Sequence, residues 1–223
     1  MTIGIRWHRP ATPLLLEATE FFAELGSEQF WGVVEETSLA NQTDKQHVET
    51  LEAKAGTAAA LLRLSLSMRE FSPRVAMFRQ LADEAWRSRG DELRDEPMPC
   101  AFATVNGEPV RSIEALQQAL KTCGDSPATP LLEQDHAYPS DSTVAGAPQV
   151  VMYGRLGSAD FAPLFAELAS KAKAGEIALS LRHSDCGKRA DTRHHFSCDA
   201  LLYQPRHKTS PAASCKRQVS RRV

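Results

Sequence analysis

The residues best suited to metal chemistry lie near the carboxyl end of the chain, in the segment CGKRADTRHHFSC. This segment contains four thiol and imidazole side chains, which are ligands that zinc prefers: Cys186, His194, His195 and Cys198. Their spacing lacks the paired C-x-x-C arrangement that is typical of zinc-binding modules. A small metal-binding protein is therefore one alternative, whereas the composition favours a disordered basic tail.

Other catalytic chemistry has few candidates in this sequence. His136 follows Asp135 in the segment EQDHAYP, with Glu133 close before it. We interpret this group as surface hydrogen bonding rather than as an acid–base pair. The sequence has no G-x-S-x-G, no glycine-rich phosphate loop and no H-E-x-x-H. It thus predicts no catalytic, cofactor-binding or metal-binding residue outside the tail.

The sequence contains two features that would be modified in an oxidising, secretory compartment, a glycosylation sequon and a pair of cysteines. Asn41 begins the glycosylation sequon Asn-Gln-Thr in a polar loop. Cys100 and Cys123 flank a predicted strand-turn-helix unit and are the candidate disulfide pair. The pairing of the cysteines cannot be deduced from sequence, and buried free thiols are the alternative.

Charge is distributed unevenly along the chain. The net charge is −2, but residues 184–223 carry nine Lys/Arg against three Asp/Glu. This change of composition near His183 predicts a domain boundary. The near-neutral total gives no reason to expect nucleic acid as a partner, and no apolar run reaches the roughly 18 residues of a membrane helix. The first apolar run is only three leucines long, so no signal peptide is predicted.

The N-terminal half of the chain predicts one strand and several helices. Leu14–Ala18 predicts a short buried strand, and Ser27 is a candidate helix cap. Residues 44–85 have apolar side chains at helical spacing, with a break at Ser72-Pro73. Three glutamates in the opening stretch are interpreted as solvent-facing or capping: Glu17, Glu20 and Glu24.

The C-terminal half alternates strands and helices. Residues 100–110 predict a strand with the turn pair Asn106-Gly107, and Ser112 caps a following helix. The segment TPLL at Thr129 repeats the letters found at Thr12 and predicts another short strand. Residues 149–183 predict a β-α-β unit, which implies two parallel strands.

The turn of this β-α-β unit is where a thioredoxin-type fold would carry its C-x-x-C. There the helix N-terminus lowers the pKa of one thiol, and the second thiol resolves the mixed disulfide. In this chain the turn reads GRLGS, from Gly154 to Ser158, without a cysteine. A thioredoxin-like domain with this turn would be redox-inactive, and an unrelated β-α-β turn is the alternative.

Several collinear segments between Trp7 and His183 resemble one protein family. They are TPLLLEATEFFAE, EQFW, LSLSMREFSPRVAMFRQLADE, PLLEQDHAYP, VVMYGRLGSADFAPLF and LSLRH, together with Trp7 and Cys100. On these segments the chain resembles the start of the mature UDP-glucose:glycoprotein glucosyltransferases, the folding sensors of the endoplasmic reticulum.

This resemblance implies an α/β, thioredoxin-like and redox-inactive domain at residues 7–183, with a helical insertion at about residues 44–90. It also implies the endoplasmic reticulum lumen as location and misfolded glycoproteins as partners, with an endoplasmic reticulum oxidoreductase or selenoprotein as a further candidate. The family transfers glucose from UDP-glucose, with calcium, to high-mannose glycans in a catalytic domain that this chain lacks. The resemblance therefore predicts a non-catalytic module or fragment without a cofactor of its own.

Departures from the family pattern leave alternatives open. The second cysteine of the family falls near Arg111-Ser112 here, so Cys123 would be its substitute. Residues 184–223 replace a tyrosine- and glycine-rich segment, which suggests an alternative exon, a frameshift or a gene-model fragment. The alternative function is a free-standing redox-inactive adaptor that binds unfolded chains or an oxidoreductase. Client binding would need an exposed apolar surface, for which residues 61–78 are candidates unless they pack into the core.

Overall fold

The described part of the chain folds into seven α-helices and five β-strands. The computed structural model describes residues 12–39, 43–88, 96–121, 129–139 and 146–186, which fall within one compact unit, residues 1–188. None of these helices is long and apolar enough to cross a lipid bilayer. The helices are α1 (Leu14–Leu25), α2 (Ser27–Leu39), α3 (Asp44–Ala55), α4 (Ala59–Met68), α5 (Ser72–Arg87), α6 (Ile113–Lys121) and α7 (Phe161–Lys173). The strands are β1 (Ala101–Val105), β2 (Glu108–Val110), β3 (His136–Tyr138), β4 (Gln149–Gly154) and β5 (Ala178–His183).

The five strands form one mixed sheet in the order β2-β1-β4-β5-β3. β4 and β5 are parallel, with Val151 opposite Ser180, and α7 connects them. β1 pairs antiparallel with β2 and β4, and β3 pairs antiparallel with β5. Asn106 and Gly107 both have positive φ in the tight turn between β1 and β2. The predicted turn and the predicted β-α-β unit at residues 149–183 are therefore confirmed.

Both faces of the sheet are buried. Along β4, Val150 and Met152 belong to the main hydrophobic core, which also contains residues of α6 and α7. The alternate residues Val151 and Tyr153 pack on the other face, where Trp86 of α5 covers them. A strand that is covered on both faces has apolar residues at every position, which explains its continuous apolar sequence.

The helical prediction for residues 44–85 is confirmed by α3, α4 and α5. Thr43 begins α3 with a capping box, in which its hydroxyl accepts from the Gln46 N–H and the Gln46 side chain accepts from the Thr43 N–H. Arg69 has a left-handed φ of 57° where α4 ends. Pro73 lies in the first turn of α5, a position that needs no backbone N–H. These residues separate the two helices where the sequence predicted a break.

The strand predicted at Leu14–Ala18 is wrong, because this segment begins helix α1. Every residue from Leu15 to Phe22 is buried, and α1 packs against α2, α3, α4 and α5. Because Glu17 and Glu20 are buried together with the apolar residues, α1 lacks the contrast between a buried apolar face and an exposed polar face that marks a surface helix. Its short apolar run is then easily mistaken for a buried strand.

The segment at Thr129 is not a strand either. Residues 129–135 belong to no helix or strand, and β3 begins only at His136. Asp135 holds this segment by accepting hydrogen bonds from the Leu132 N–H at 2.8 Å and from the Arg182 guanidinium. The repeated letters TPLL therefore have two different structures, a helix start and an irregular connection.

Candidate functional site

The turn between β4 and α7 lies where a thioredoxin-type fold would carry C-x-x-C. β4 ends at Gly154 and α7 begins at Phe161, so the strand-turn-helix arrangement is confirmed. The turn sequence RLGS, residues 155–158, contains no thiol. Arg155 donates a hydrogen bond to Asp44 Oδ2 at 3.0 Å. This turn therefore offers an ion pair in place of a nucleophile for disulfide exchange.

Gly154 cannot accept a side chain without a shift of its neighbours. A Cβ atom added there would lie 2.4 Å from Phe161 Cδ2 and 2.7 Å from Phe161 Cε2. We expect Gly154→Ala to lower the free energy of unfolding by about 1–3 kcal/mol, because a buried aromatic ring must move. Urea denaturation followed by tryptophan fluorescence measures this change.

Gly32→Ala is the matched control for this substitution. Gly32 lies inside α2, and an added Cβ there would approach only the Lys54 ammonium, at 4.0 Å. Alanine should raise stability at this position by about 0.5–1 kcal/mol, because it is the better helix former. A Gly154→Ala variant as stable as the wild type would contradict the close packing at the end of β4.

A disulfide links Cys100 to Cys186 beside this turn. Cys100 immediately precedes β1, and its carbonyl accepts a hydrogen bond from the Arg155 N–H at 2.8 Å. On the other side, the Ser184 N–H donates to the Gly154 carbonyl at 2.9 Å. The residues directly after β5 are thus joined to the turn and to the start of β1.

The disulfide corrects two predictions from the sequence. The predicted pair Cys100–Cys123 is wrong, because Cys100 is bonded to Cys186. Cys186 also cannot bind zinc as a thiolate, because its sulfur is part of the disulfide. The boundary predicted after His183 stays a prediction. Several predicted features lie outside the described residues: Cys123, the ligands His194, His195 and Cys198, the sequon residue Asn41, and the tail from residue 187 onward.

The buried polar group that we name the Glu20 cluster consists of Glu20, His136 and His183. α1, β3 and β5 supply one side chain each. The Nε2 atoms of His136 and His183 lie 3.0 Å and 3.1 Å from Glu20 Oε1. Glu20 and His183 are fully buried, and His136 is largely buried, with its ring stacked on Phe30. The interpretation of His136 as a surface group is therefore wrong.

Two of the three N-terminal glutamates are buried, which contradicts the prediction that they face solvent. Glu17 and Glu20 have no exposed surface, and only Glu24 is exposed. Each buried carboxylate has an arginine partner, Arg69 for Glu17 at 2.7 Å and Arg74 for Glu20 at 3.0 Å. A buried carboxylate needs such a partner because leaving water is costly for an unpaired charge. The two ion pairs fasten α1 to the helical insertion.

Hydrogen bonds from the two histidines lower the pKa of Glu20. Burial by itself would raise the pKa of Glu20, but hydrogen bonds from His136 and His183 outweigh it and hold this pKa well below its usual range. Thr19 donates its hydroxyl proton to the Leu16 carbonyl at 2.8 Å, and its oxygen lies 2.9 Å from His183 Nε2. We therefore assign a proton to His183 Nε2, which donates to Thr19 and Glu20.

Helix α4 has an exposed apolar surface. Leu61, Leu64 and Met68 are 53%, 53% and 68% exposed. Their spacing of three and four residues places them on one side of the helix, whereas Leu62 is buried in the core. We name Leu61, Leu64 and Met68 the apolar α4 face. The predicted client-binding stretch, residues 61–78, thus divides into core residues and this exposed face.

Comparison with known proteins agrees with this fold. A model of the family described as thioredoxin-like domain matches residues 11–191. UDP-glucose:glycoprotein glucosyltransferase 1 of Mus musculus is 32% identical over 186 residues, covering 78% of this chain and 11% of that protein. UDP-glucose:glycoprotein glucosyltransferase 2 of Homo sapiens is 31% identical over 194 residues, covering 81% and 12%. The glucosyltransferase of Drosophila melanogaster is 32% identical over 196 residues, also covering 81% and 12%.

The similarity is limited to one region of these long proteins. The chain spans about one ninth to one eighth of their length, 11% to 12%. The family match and the mixed sheet with its flanking helices confirm the predicted thioredoxin-like fold. The chain belongs to the thioredoxin-like domain family, and within it the chain is similar to the thioredoxin-like region of the UDP-glucose:glycoprotein glucosyltransferases.

Proposed function

We propose that this chain is a non-catalytic, client-binding module of a UDP-glucose:glycoprotein glucosyltransferase. In this role the apolar α4 face binds apolar segments that incompletely folded glycoproteins expose. One observation carries the proposal, namely the exposure of Leu61, Leu64 and Met68 on one side of a helix that is anchored in the core by its other side. Clustered exposed apolar residues are typical of protein interaction surfaces.

The apolar α4 face suits clients of varied sequence. Its leucine and methionine side chains select for apolar surface and not for a particular pattern of hydrogen bonds. Met68 adds adaptability, because an unbranched thioether packs against differently shaped partners. Arg63 and Glu52 form an ion pair at 2.9 Å near this face and would contribute a polar rim. A folded glycoprotein buries its apolar side chains and would offer this face no partner.

The module would work in the endoplasmic reticulum lumen, where the family resemblance predicts it. The disulfide between Cys100 and Cys186 is consistent with an oxidising compartment. Transfer of glucose from UDP-glucose, with calcium, to high-mannose glycans would belong to other regions of the enzyme. Because the turn at residues 155–158 has no thiol, the module would hold clients without exchanging disulfides with them.

The alternative function, a free-standing redox-inactive adaptor, stays a prediction. Such an adaptor would use the apolar α4 face for unfolded chains, or it would bind an endoplasmic reticulum oxidoreductase or selenoprotein. Similarity to the glucosyltransferases over 78% to 81% of the chain supports the module instead.

A variant with Leu61→Ser, Leu64→Ser and Met68→Ser is expected to bind a reduced and alkylated high-mannose glycoprotein at least about tenfold more weakly than the wild type does. One fully buried apolar side chain contributes about 1.5–3 kcal/mol, and about 1.4 kcal/mol corresponds to a factor of ten in affinity. Because the three side chains are exposed, the variant should lose at most about 1 kcal/mol of stability, from the lower helix propensity of serine. Fluorescence anisotropy with the labelled glycoprotein measures the affinity.

Leu131→Ser is the matched control, because Leu131 is also apolar and 55% exposed but lies outside α4. This variant should bind the denatured glycoprotein as tightly as the wild type does. The same glycoprotein in its native state should bind to none of the three proteins. Equal affinities for the triple variant and the wild type would refute the role of the apolar α4 face.

A further inference from the structure

We propose that the Glu20 cluster is a binding site for a divalent transition-metal ion, with Zn²⁺ as the ion that its donors fit best. One carboxylate oxygen and two imidazole nitrogens, from Glu20, His136 and His183, lie within 4.8 Å of one another. Two histidines and one glutamate are an established donor set for zinc. Imidazole also suits this ion better than it suits calcium or magnesium. Because α1, β3 and β5 each supply one donor, folding alone assembles the site.

The two separations between the carboxylate oxygen and the imidazole nitrogens are close to those of tetrahedral coordination. Zinc–ligand bonds of about 2.0–2.1 Å place two ligands of a tetrahedron about 3.3–3.4 Å apart. In the cluster, Glu20 Oε1 lies 3.0 Å from His136 Nε2 and 3.1 Å from His183 Nε2. Shifts of about 0.3 Å would bring these two separations to the tetrahedral value. The third separation, between the two histidine nitrogens, is within 4.8 Å.

Arg74 supports the carboxylate through the oxygen that does not contact the histidines. It donates to Glu20 Oε2 at 3.0 Å, which leaves Oε1 directed at the two imidazoles. Hydrogen bonds of this kind orient the ligands of metal sites. Arg74 also pairs with Glu24 at 2.7 Å, so its charge is balanced. Glu20 and a divalent ion would then leave one net positive charge, as in other zinc sites with two histidines and one glutamate.

Aromatic rings fix the two imidazoles and exclude water. Phe30 stacks on His136 with ring centroids 3.9 Å apart. Phe78 lies 6.1 Å and 6.4 Å from the ring centroids of His136 and His183. The Thr19 hydroxyl, 2.9 Å from His183 Nε2, marks a place for a fourth oxygen ligand. Burial beside these rings reduces the dielectric screening between the donors and a cation.

Metal binding requires both His136 and His183 to change tautomer, because in the metal-free cluster each ring donates its Nε2 proton to Glu20. Each Nε2 proton must move to Nδ1 of its own ring, so the number of protons does not change. His183 Nδ1 is buried and has no hydrogen-bond partner among the described residues. An unpaired buried N–H is unfavourable, so we expect weaker binding than at structural zinc sites with complete hydrogen bonding.

Calorimetric titration of the metal-free full chain with ZnCl₂ tests the proposal. We expect one zinc ion bound at the cluster and a rise in melting temperature when zinc is added. With Co²⁺ in place of zinc, the visible absorption of a tetrahedral nitrogen and oxygen site should appear. His136→Gln should weaken zinc binding by at least about tenfold. No binding to the wild type, or equal binding to His136→Gln, would overturn the proposal.

Two controls assign the ion to the cluster. A variant with alanine at His194, His195, Cys198, His207 and Cys215 removes every thiol and imidazole side chain of residues 187–223 and should still bind zinc. His47→Gln removes another buried histidine, which lies outside the cluster, and should bind zinc like the wild type. If circular dichroism shows that His136→Gln is unfolded, the cobalt spectrum of the wild type identifies the ligands instead. Thiolate charge-transfer bands in that spectrum would indicate cysteine ligands and would overturn the proposal.

Discussion

Replacing Asp135 with asparagine is expected to lower the free energy of unfolding by about 3–5 kcal/mol, because Arg182 then stays buried without its counter-ion. The side chains of Arg182 and Asp135 are only 2% and 3% exposed. The Arg182 Nε and Nη2 atoms donate to the two carboxylate oxygens at 2.6 Å and 2.7 Å. Asparagine keeps the shape of the side chain but removes its charge. Urea denaturation monitored by tryptophan fluorescence measures the loss.

The other partners of Arg182 are neutral and cannot replace the carboxylate. Arg182 donates to the Tyr153 hydroxyl at 2.9 Å and to the Pro130 carbonyl at 2.8 Å. Burial by itself would lower the pKa of Arg182, but the hydrogen bond to Asp135 outweighs it and raises this pKa above its ordinary value. The cation is therefore retained in the interior by Asp135, and the segment before β3 is fixed to β5 by the same pair.

Asp83→Asn tests whether the effect depends on burial. Asp83 pairs with Arg87 on α5, but both side chains are 45% exposed, so this substitution should cost at most about 0.5 kcal/mol. Combining Asp135→Asn with Arg182→Met removes the buried charge, and the double variant should be more stable than Asp135→Asn alone. An Asp135→Asn variant within about 1 kcal/mol of the wild type would contradict this account.

The C-terminal half of the fold could be predicted because its signals are local. The Asn106-Gly107 pair specifies its tight turn through the backbone freedom of two adjacent residues. Within residues 149–183, two apolar strands flank a helix with an apolar stripe, and neighbouring residues set this pattern. The absence of a thiol from the turn at residues 155–158 was equally visible. These features need no knowledge of distant contacts.

The N-terminal helix and the Glu20 cluster could not be predicted in this way, because their partners are distant in sequence. Arg74 and His136 lie 54 and 116 residues from Glu20. Without these partners, a glutamate in an apolar run indicates a solvent-facing position. One signal was available, since Glu17, Glu20 and Glu24 are separated by three and four residues and would share one face of a helix. Because Leu14–Ala18 was interpreted as a strand, the helical spacing of these glutamates was not recognised.

The pairing of the cysteines was hidden for the same reason. Cys100 and Cys186 are separated by 86 residues, and the sequence around Cys186 resembles a polar tail rather than part of a core. Closeness along the chain favoured Cys123 as the partner. In the folded sheet, the residues before β1 and the residues after β5 both lie beside the turn at Arg155. This arrangement brings Cys100 close to Cys186.

Cys186→Ser is expected to lower the free energy of unfolding by about 2–5 kcal/mol. The disulfide spans 86 residues, and a cross-link over a long segment removes much conformational freedom from the unfolded chain. Loss of the disulfide should therefore favour the unfolded state, and we expect the decrease in the free energy of unfolding to lie toward the upper end of that range. Urea denaturation with and without a reductant measures the contribution, and the reductant should destabilise the wild type more than it destabilises Cys186→Ser.

Cys123→Ser separates the two possible pairings. Peptide mapping under non-reducing conditions should find the same cross-linked peptides, containing Cys100 and Cys186, in this variant and in the wild type. A cross-link between Cys100 and Cys123 in the wild type would contradict the structure. Loss of the disulfide should also loosen the turn, because the Arg155 N–H donates to the Cys100 carbonyl. Deuterium exchange at Arg155 should therefore become faster in Cys186→Ser and stay unchanged in Cys123→Ser.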